Sequence, residues 1–257
     1  MNKELQLENY SKTRLTALLG RTVKLLSPNE LQEILGVKSD PNLKWVGFET
    51  ANTLTNSGKE EWTKEGGTIG IWMLGMLNPS DSATVVIPYI QGDEKELGKI
   101  ATTNYFGEIP ADRIKIEDGF IYYKVDGKYR SKLGLSEKRA ASLAGSYDPI
   151  NKALTIMQFN KPDVSSEYIN QMWEIQKEPF VGDVINSYND GPLEDRGQLG
   201  PFYEIETSSP AAFLAPGESL LHTQRIFHFT GTEDQLNAIS TEGLGLSIEK
   251  IKNAFNK

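Results

Sequence analysis

The chain has 257 residues, 35 acidic side chains against 27 basic ones and a formal charge of −8. A chain of this length buries a real core and matches the all-β sandwiches that run this far as one domain, while its acidic balance argues against a nucleic-acid or anionic-membrane surface and for a neutral or small partner. The absence of cysteine excludes disulfides and thiolate metal sites, and no apolar run of about 18 residues is present to insert into a bilayer.

The start, MNKELQLENYSKTRL, is polar and lacks the apolar stretch of a secretory signal, which leaves both cytoplasm and periplasm open. Leu15 to Leu26 reads as a strand able to pair with Val46 to Leu54. Between them Ser27 is an N-cap, Pro28 the first helical residue and Gly36 the stop, so one short helix is expected. Strand signals recur at Ile69 to Leu77, Ala83 to Tyr89, Arg113 to Glu117, Phe120 to Val125, Leu154 to Phe159, Val184 to Tyr188, Tyr203 to Thr207 and Leu220 to Phe229. Asn56-Ser-Gly58, Glu117-Asp-Gly119 and Val125-Asp-Gly127 supply turn chemistry. Pro162 to Glu167 and Leu193 to Gly197 read as surface loops. Thr232 with Gln235 resembles a capping box, and Leu236, Ile239, Ile248, Ile251 and Phe255 suggest two short amphipathic helices around Gly243 and Gly245, packed on the outside of a sheet. No repeat, low-complexity segment or linker interrupts the pattern, so one antiparallel sandwich domain over residues 1–257 is expected.

The most informative stretch is Gly200 to Phe229. Strand alternation sends Tyr203, Ile205 and Thr207 to one face and Glu204, Glu206 and Ser208 to the other. Two carboxylates then share a face with no neutralising charge nearby in sequence, and they need solvent, a cation or a pocket that uses them. The turn Leu214-Ala-Pro-Gly-Glu218 leads into the strand ending Phe227-His-Phe229, so a hairpin-like pair of strands is expected to present the acids.

The order Glu-x-Glu-Thr, Pro, Leu-x-Pro-Gly-Glu, then a strand ending Phe-x-Phe resembles the C-terminal end of the aldose epimerase (galactose mutarotase) superfamily. More closely, the chain is similar to an uncharacterised bacterial family of mutarotase-like proteins. The matching segments are Leu54-Thr-Asn-Ser-Gly58, Ile71-Trp-Met-Leu-Gly-Met-Leu-Asn-Pro-Ser80, Tyr129-Arg-Ser-Lys-Leu-Gly-Leu135, Gly145-Ser-Tyr-Asp148 and Gly182-Asp-Val-Ile-Asn-Ser-Tyr-Asn-Asp-Gly-Pro192. The resemblance implies an all-β galactose mutarotase-like super-sandwich of antiparallel strands with short peripheral and C-terminal helices. Members of that family carry a further N-terminal portion, so the chain is expected to correspond to the C-terminal two-thirds.

The resemblance also implies sugar chemistry. Mutarotation needs one group to take the proton of the anomeric hydroxyl and another to protonate the ring oxygen. By its place before the Pro-Gly-Glu turn, Glu206 matches the superfamily's glutamate base, with Glu204 in reserve; two solvated glutamates on an open sheet face are the plain alternative. The superfamily's acid is a histidine in a Thr-Asn-His-aromatic-x-Asn-Leu segment, and the corresponding Ile69 to Asn78 has none. His222 and His228 read as half-buried or surface strand residues, and Lys132, His222 or Tyr188 is left to supply the proton.

Trp72 offers a platform for a sugar face, or is a core tryptophan beside Met73, Leu74, Met76 and Leu77. Asn78 can donate to a hydroxyl or end its strand before Pro79. Arg130 and Lys132 stand where the superfamily places an aspartate–histidine pair, which suggests an acidic sugar; an ion pair of either with Glu204 or Glu206 explains them equally well. Tyr188, Asn189 and Asp190 form a rim or a simple turn. No phosphate loop, His-x-x-x-His pair or nucleophile elbow is present. The expectation is a mono- or oligosaccharide partner, no cofactor and no resident metal, with calcium left open. An epimerase, a non-catalytic carbohydrate-binding module and a glycoside hydrolase-associated domain are the candidate functions, the last disfavoured because residues i and i+2 of one strand do not flank a scissile bond.

Overall fold

The computed structural model describes residues 1–38, 40–162, 165–193 and 197–255. Parts of the two loops read at 162–167 and 193–197, namely positions 163, 164, 194, 195 and 196, lie outside the described residues.

In chain order the elements are β1 (Asn2–Glu8), β2 (Arg14–Leu25), α1 (Pro28–Leu35), β3 (Lys44–Asn56), β4 (Trp72–Leu77), β5 (Thr84–Pro88) and α2 (Glu94–Leu97). There follow β6 (Ile114–Glu117), β7 (Phe120–Lys124), β8 (Ser131–Leu135), β9 (Leu143–Asp148), β10 (Ala153–Phe159) and β11 (Ile185–Asn189). The chain closes with β12 (Tyr203–Ser208), β13 (Ser219–Thr230), α3 (Glu233–Leu244) and α4 (Ile248–Lys252). Strands β1, β8 and β9 are additions to the expected set. The first is mostly polar and exposed, and the other two are short segments rich in Gly, Ser and Lys that carry no strand signal.

Two antiparallel sheets organise these strands. The larger runs β1-β2-β3-β13-β10-β9-β5-β7-β6 and the smaller β4-β12-β11-β8. The expected pairing of β2 with β3 is present, in the register Leu18↔Thr55 and Leu25↔Phe48. Tight turns behave as their residues require: Asp118 (φ 52°) and Gly119 (φ 82°) close the β6–β7 hairpin with both central residues at positive φ.

The expected hairpin of β12 and β13 does not form. Strand β12 pairs with β11 and β4 in the small sheet, whereas β13 pairs with β3 and β10 in the large one. The Pro-Gly-Glu turn is therefore a crossing from one sheet to the other. The twelve residues of β13 pair with Lys44 to Thr55, all but the last residue of β3, and that long ladder is a better mate than six-residue β12.

Between the sheets, Tyr203, Ile205, Leu133 and Ile185 meet Met157, Ile226, Ile121 and Tyr123. On the far face of the large sheet Leu154, Ile156, Phe227 and Phe229 pack under Leu236, Ile239, Leu244, Ile248 and Ile251 of α3 and α4, so the C-terminal helices cover the outside of the sheet as their spacing predicts. Helix α1 begins with a full capping box of Ser27 and Glu30 and ends on Gly36 in the left-handed region. Helix α3 has the same box from Thr232 and Gln235. A small cluster of Leu15, Ala17, Leu54, Trp62, Ala212 and Leu214 closes one end.

Candidate functional site

Strand β12 sits in the middle of the small sheet, and its alternation is the one the residues dictate. Tyr203 and Ile205 enter the core between the sheets, so Glu204 and Glu206 project from the opposite face. Across the ladder Glu206 lies opposite Leu74 and Asn186, and Glu204 opposite Met76 and Tyr188. Lys132 on β8 lies opposite Tyr188, one strand further out.

That register lets two long side chains bridge. Lys132 Nζ reaches Glu206 Oε2 at 2.7 Å, and Trp72 Nε1 donates to the same oxygen at 2.8 Å. Lys132 is 5% and Glu206 1% exposed, so this is a buried ion pair with a third, neutral donor. The ammonium also lies 4.9 Å from the Trp72 ring centre and 5.2 Å from that of Tyr105, close enough for the ring faces to stabilise it. Tyr105 donates to Asp183 at 2.6 Å and accepts from Asn186 at 3.0 Å; burial raises the Asp183 carboxyl above its ordinary range. These polar groups lie over Gly134, where an added Cβ would stand 2.2 Å from Asp183 Oδ2. Any side chain there would expel them.

Glu204 has a different environment. Among the described residues it forms no ion pair, and its carboxyl faces a cavity of about 210 Å³. Burial, and then the charge of Glu206, push its pKa up to about 7, with Lys132 pulling the other way. Glu204 thus changes protonation near neutrality; Glu206 is bound to Lys132 and Trp72. The cavity's walls are aromatic: Trp72, Phe106, Trp173, Tyr188 and Phe202 line it, with Leu74 and Leu199. Trp72, Leu74 and Met76 point outward and are 41%, 45% and 60% exposed, so Trp72 is a platform of the open face rather than a core residue.

Arg130 also lines this cavity. Its guanidinium is 4.0 Å from the Phe106 ring centre and 5.7 Å from that of Trp173, and its buried Nε has no hydrogen-bond partner. Of the ion pairs left open by the sequence, Lys132–Glu206 forms; Arg130 pairs with neither glutamate. Tyr188 donates to Asp190 at 2.9 Å, and burial raises its phenol to about 12.

The fold thus brings together Trp72, Arg130, Lys132, Tyr188, Glu204 and Glu206. It does not bring in Asn78 or Asn189. Asn78 is exposed just past the end of β4. Asn189 is wholly buried, accepting from Gly127 N at 2.9 Å and donating to Tyr129 O at 2.9 Å, so its amide pins the turn ahead of β8. Both histidines also lie elsewhere. His222 is fully buried between the sheets, 2.9 Å from Thr207 Oγ1 on the inward face of β12, and burial pushes its pKa down to about 4. His228 lies 3.0 Å from Thr155 and is lowered by burial as well. Neither lines the cavity, so a proton donor at the site is not an imidazole.

Phe106, Trp173, Leu199 and Phe202 are the lining residues that periodicity missed, since all four stand outside the strands. A tryptophan in the polar segment Gln171-Met-Trp-Glu174 is the one signal that marks any of them. Among the described residues no cluster of potential metal ligands occurs, and no helix is long and apolar enough to cross a membrane.

Residues 1–255 match a protein family described as "Family of unknown function (DUF6786)". No protein of curated function matches the sequence. Among solved structures, one named as a candidate aldose 1-epimerase of Escherichia coli K12 aligns with 88% of this chain at 14% identity and a TM-score of 0.43, and the alignment covers 65% of that protein. A Synechocystis sp. PCC 6803 protein aligns with 89% of this chain at 11% identity and a TM-score of 0.41, over 66% of its own length. The chain spans less than two thirds of either.

Proposed function

Because this chain belongs to the DUF6786 family, whose function is unknown, we propose a function from its site: a carbohydrate-binding protein of aldose epimerase type, which seats a sugar ring against Trp72 above Glu204 and Glu206. The observation that carries this reading is the pair of carboxyls on one strand face, under an aromatic-walled cavity, with one acid clamped and the other free to titrate. Aromatic faces accept the apolar C–H face of a pyranose, and carboxylates accept its hydroxyl protons. The motif resemblance around Glu204, Glu206 and the Pro-Gly-Glu turn supports the same class.

In this reading Glu204 takes the proton of the anomeric hydroxyl, since a base with a pKa near the working pH transfers protons best. Lys132, held by Glu206 and lining the same cavity, returns one to the ring oxygen. Glu206 then acts through Lys132 and is a positioning residue. A second reading, binding without turnover, is favoured by the occupation of Glu206 by two donors and by the absence of a histidine from the cavity lining.

The test is anomer exchange followed by NMR on a panel of hexoses and uronic acids. Accelerated exchange that disappears in Glu204→Gln, with binding retained, is the expected result. Binding without acceleration in the wild type would replace the epimerase by the binding module. Failure of every sugar to bind would remove both.

A further inference from the structure

Beside the cavity over Glu204 and Glu206 lies a second one of about 300 Å³, and Trp72 and Trp173 line both. Strand β12 floors the two together, because Ser208 projects on the same face as Glu204 and Glu206 and lines the second cavity. From Glu204 to Ser208 the strand runs about 13 Å, further than one pyranose ring extends. The first cavity alone falls below the volume of roughly 300–1,000 Å³ usual for ligand sites, and the pair falls inside it.

One residue lining each cavity also carries a buried polar atom without a hydrogen-bond partner among the described residues, and the two are opposite in kind. Beside the first, Arg130 Nε is buried and donates to no described residue, although its cation rests among Phe106 and Trp173. Beside the second, Gln171 Nε2 donates to Ser208 Oγ while the buried Oε1 accepts from no described residue. A buried donor or acceptor left unmet destabilises the fold. A guanidinium that forms no ion pair among the described residues fits a planar anion bidentately, and an amide oxygen without a donor fits a hydroxyl.

We propose that the ligand is an acidic oligosaccharide of at least two units, whose carboxylate is taken by Arg130 in the first cavity and whose neighbouring unit gives a hydroxyl to Gln171 in the second. This rests on the carbohydrate reading above and adds a charge and a length to it. The two tryptophans then stand at the junction between units. The whole chain is acidic and repels anions, so Arg130 is the local feature that reverses that preference.

The test is calorimetric titration with glucuronate, galacturonate and mannuronate, the dimer of each, and the neutral hexoses and their dimers. At least one uronate dimer is expected to bind tenfold or more tightly than both its monomer and its neutral counterpart. Arg130→Gln should erase the acid-over-neutral ratio, Arg130→Lys should keep part of that ratio, and Gln171→Ala should erase the dimer-over-monomer gain; unchanged unfolding midpoints establish that these variants are folded. Neutral sugars binding as well as acidic ones would overturn the charge assignment, and monomers binding as well as dimers would overturn the extended site, each with the carbohydrate reading intact. No binding by any member would overturn that reading and this inference with it.

Discussion

Replacing Lys132 with methionine keeps the apolar stem of the side chain and removes its charge, so it isolates the electrostatics of the buried pair. Lys132 and Glu206 are 5% and 1% exposed and 2.7 Å apart. Breaking such a pair destabilises a protein by about 3–5 kcal/mol, because the surviving charge is left without water or counter-ion; here only the Trp72 indole N–H remains to Glu206. A stripped carboxylate escapes by binding a proton, and at pH 7 that costs a glutamate carboxyl of ordinary range about 3.5 kcal/mol, which caps the electrostatic loss. Loss of the ammonium from the Trp72 and Tyr105 rings adds about 1 kcal/mol. Urea unfolding at pH 7 is therefore expected to show Lys132→Met destabilised by about 4 kcal/mol, with an unchanged slope and the deficit shrinking by about 1.4 kcal/mol for each pH unit of acidification. The double variant Lys132→Met/Glu206→Gln should recover at least about 2 kcal/mol, since removing both charges removes the unpaired one. A single-variant loss below about 1 kcal/mol, or a double variant no more stable than the single, would refute the buried-pair account.

Glu204 makes its own pH signature. Its carboxyl is raised from 4.5 to about 7 in the fold, so between those values the unfolded chain ionises while the folded one stays protonated, and stability declines as pH rises through that window; discounted for the open side of the cavity, the decline is about 1–2 kcal/mol. Glu204→Gln should abolish it, and a wild-type and variant difference that stays flat from pH 4.5 to 7 would show that the carboxyl is not perturbed. Asn189→Ala removes the buried amide that holds Gly127 N and Tyr129 O; a loss of about 2–4 kcal/mol is expected in chemical denaturation, and a variant as stable as wild type would show that the turn does not depend on it. Gly134→Ala sets a methyl 2.2 Å from Asp183 Oδ2 and 2.3 Å from Asn186 Nδ2, an overpacking worth about 1–3 kcal/mol that should lower the thermal midpoint by a few degrees to about 10 °C. An unaltered midpoint would mean that this polar cluster repacks freely.

The strands that were legible are those whose apolar residues alternate or run together: β2, β3, β5, β7, β10, β12 and β13 all lie within two residues of where their sequences put them. The caps of α1 and α3 were equally plain, because Ser27 with Glu30 and Thr232 with Gln235 act over three residues. Strand β8 was not, since Ser131-Lys-Leu-Gly-Leu135 becomes a strand only through its ladder with β11. For the site, alternation placed Glu204 and Glu206 on one face, and that much is a property of any strand. Which acid is clamped and which titrates is not, because it depends on Lys132 arriving from two strands away and Trp72 from the strand on the other side.

Taken alone, the sequence determined the all-β class, the caps of α1 and the start of α3, and the common face of the two glutamates, all of which follow from period-two geometry and short-range hydrogen bonds, whereas the short α2 went unread. Tertiary structure decided that β12 and β13 part into different sheets, that both histidines are buried out of reach, and that Phe106, Trp173 and Phe202 wall the cavity. Each of those outcomes is set by contacts between residues far apart in the chain, whose partners local periodicity does not encode.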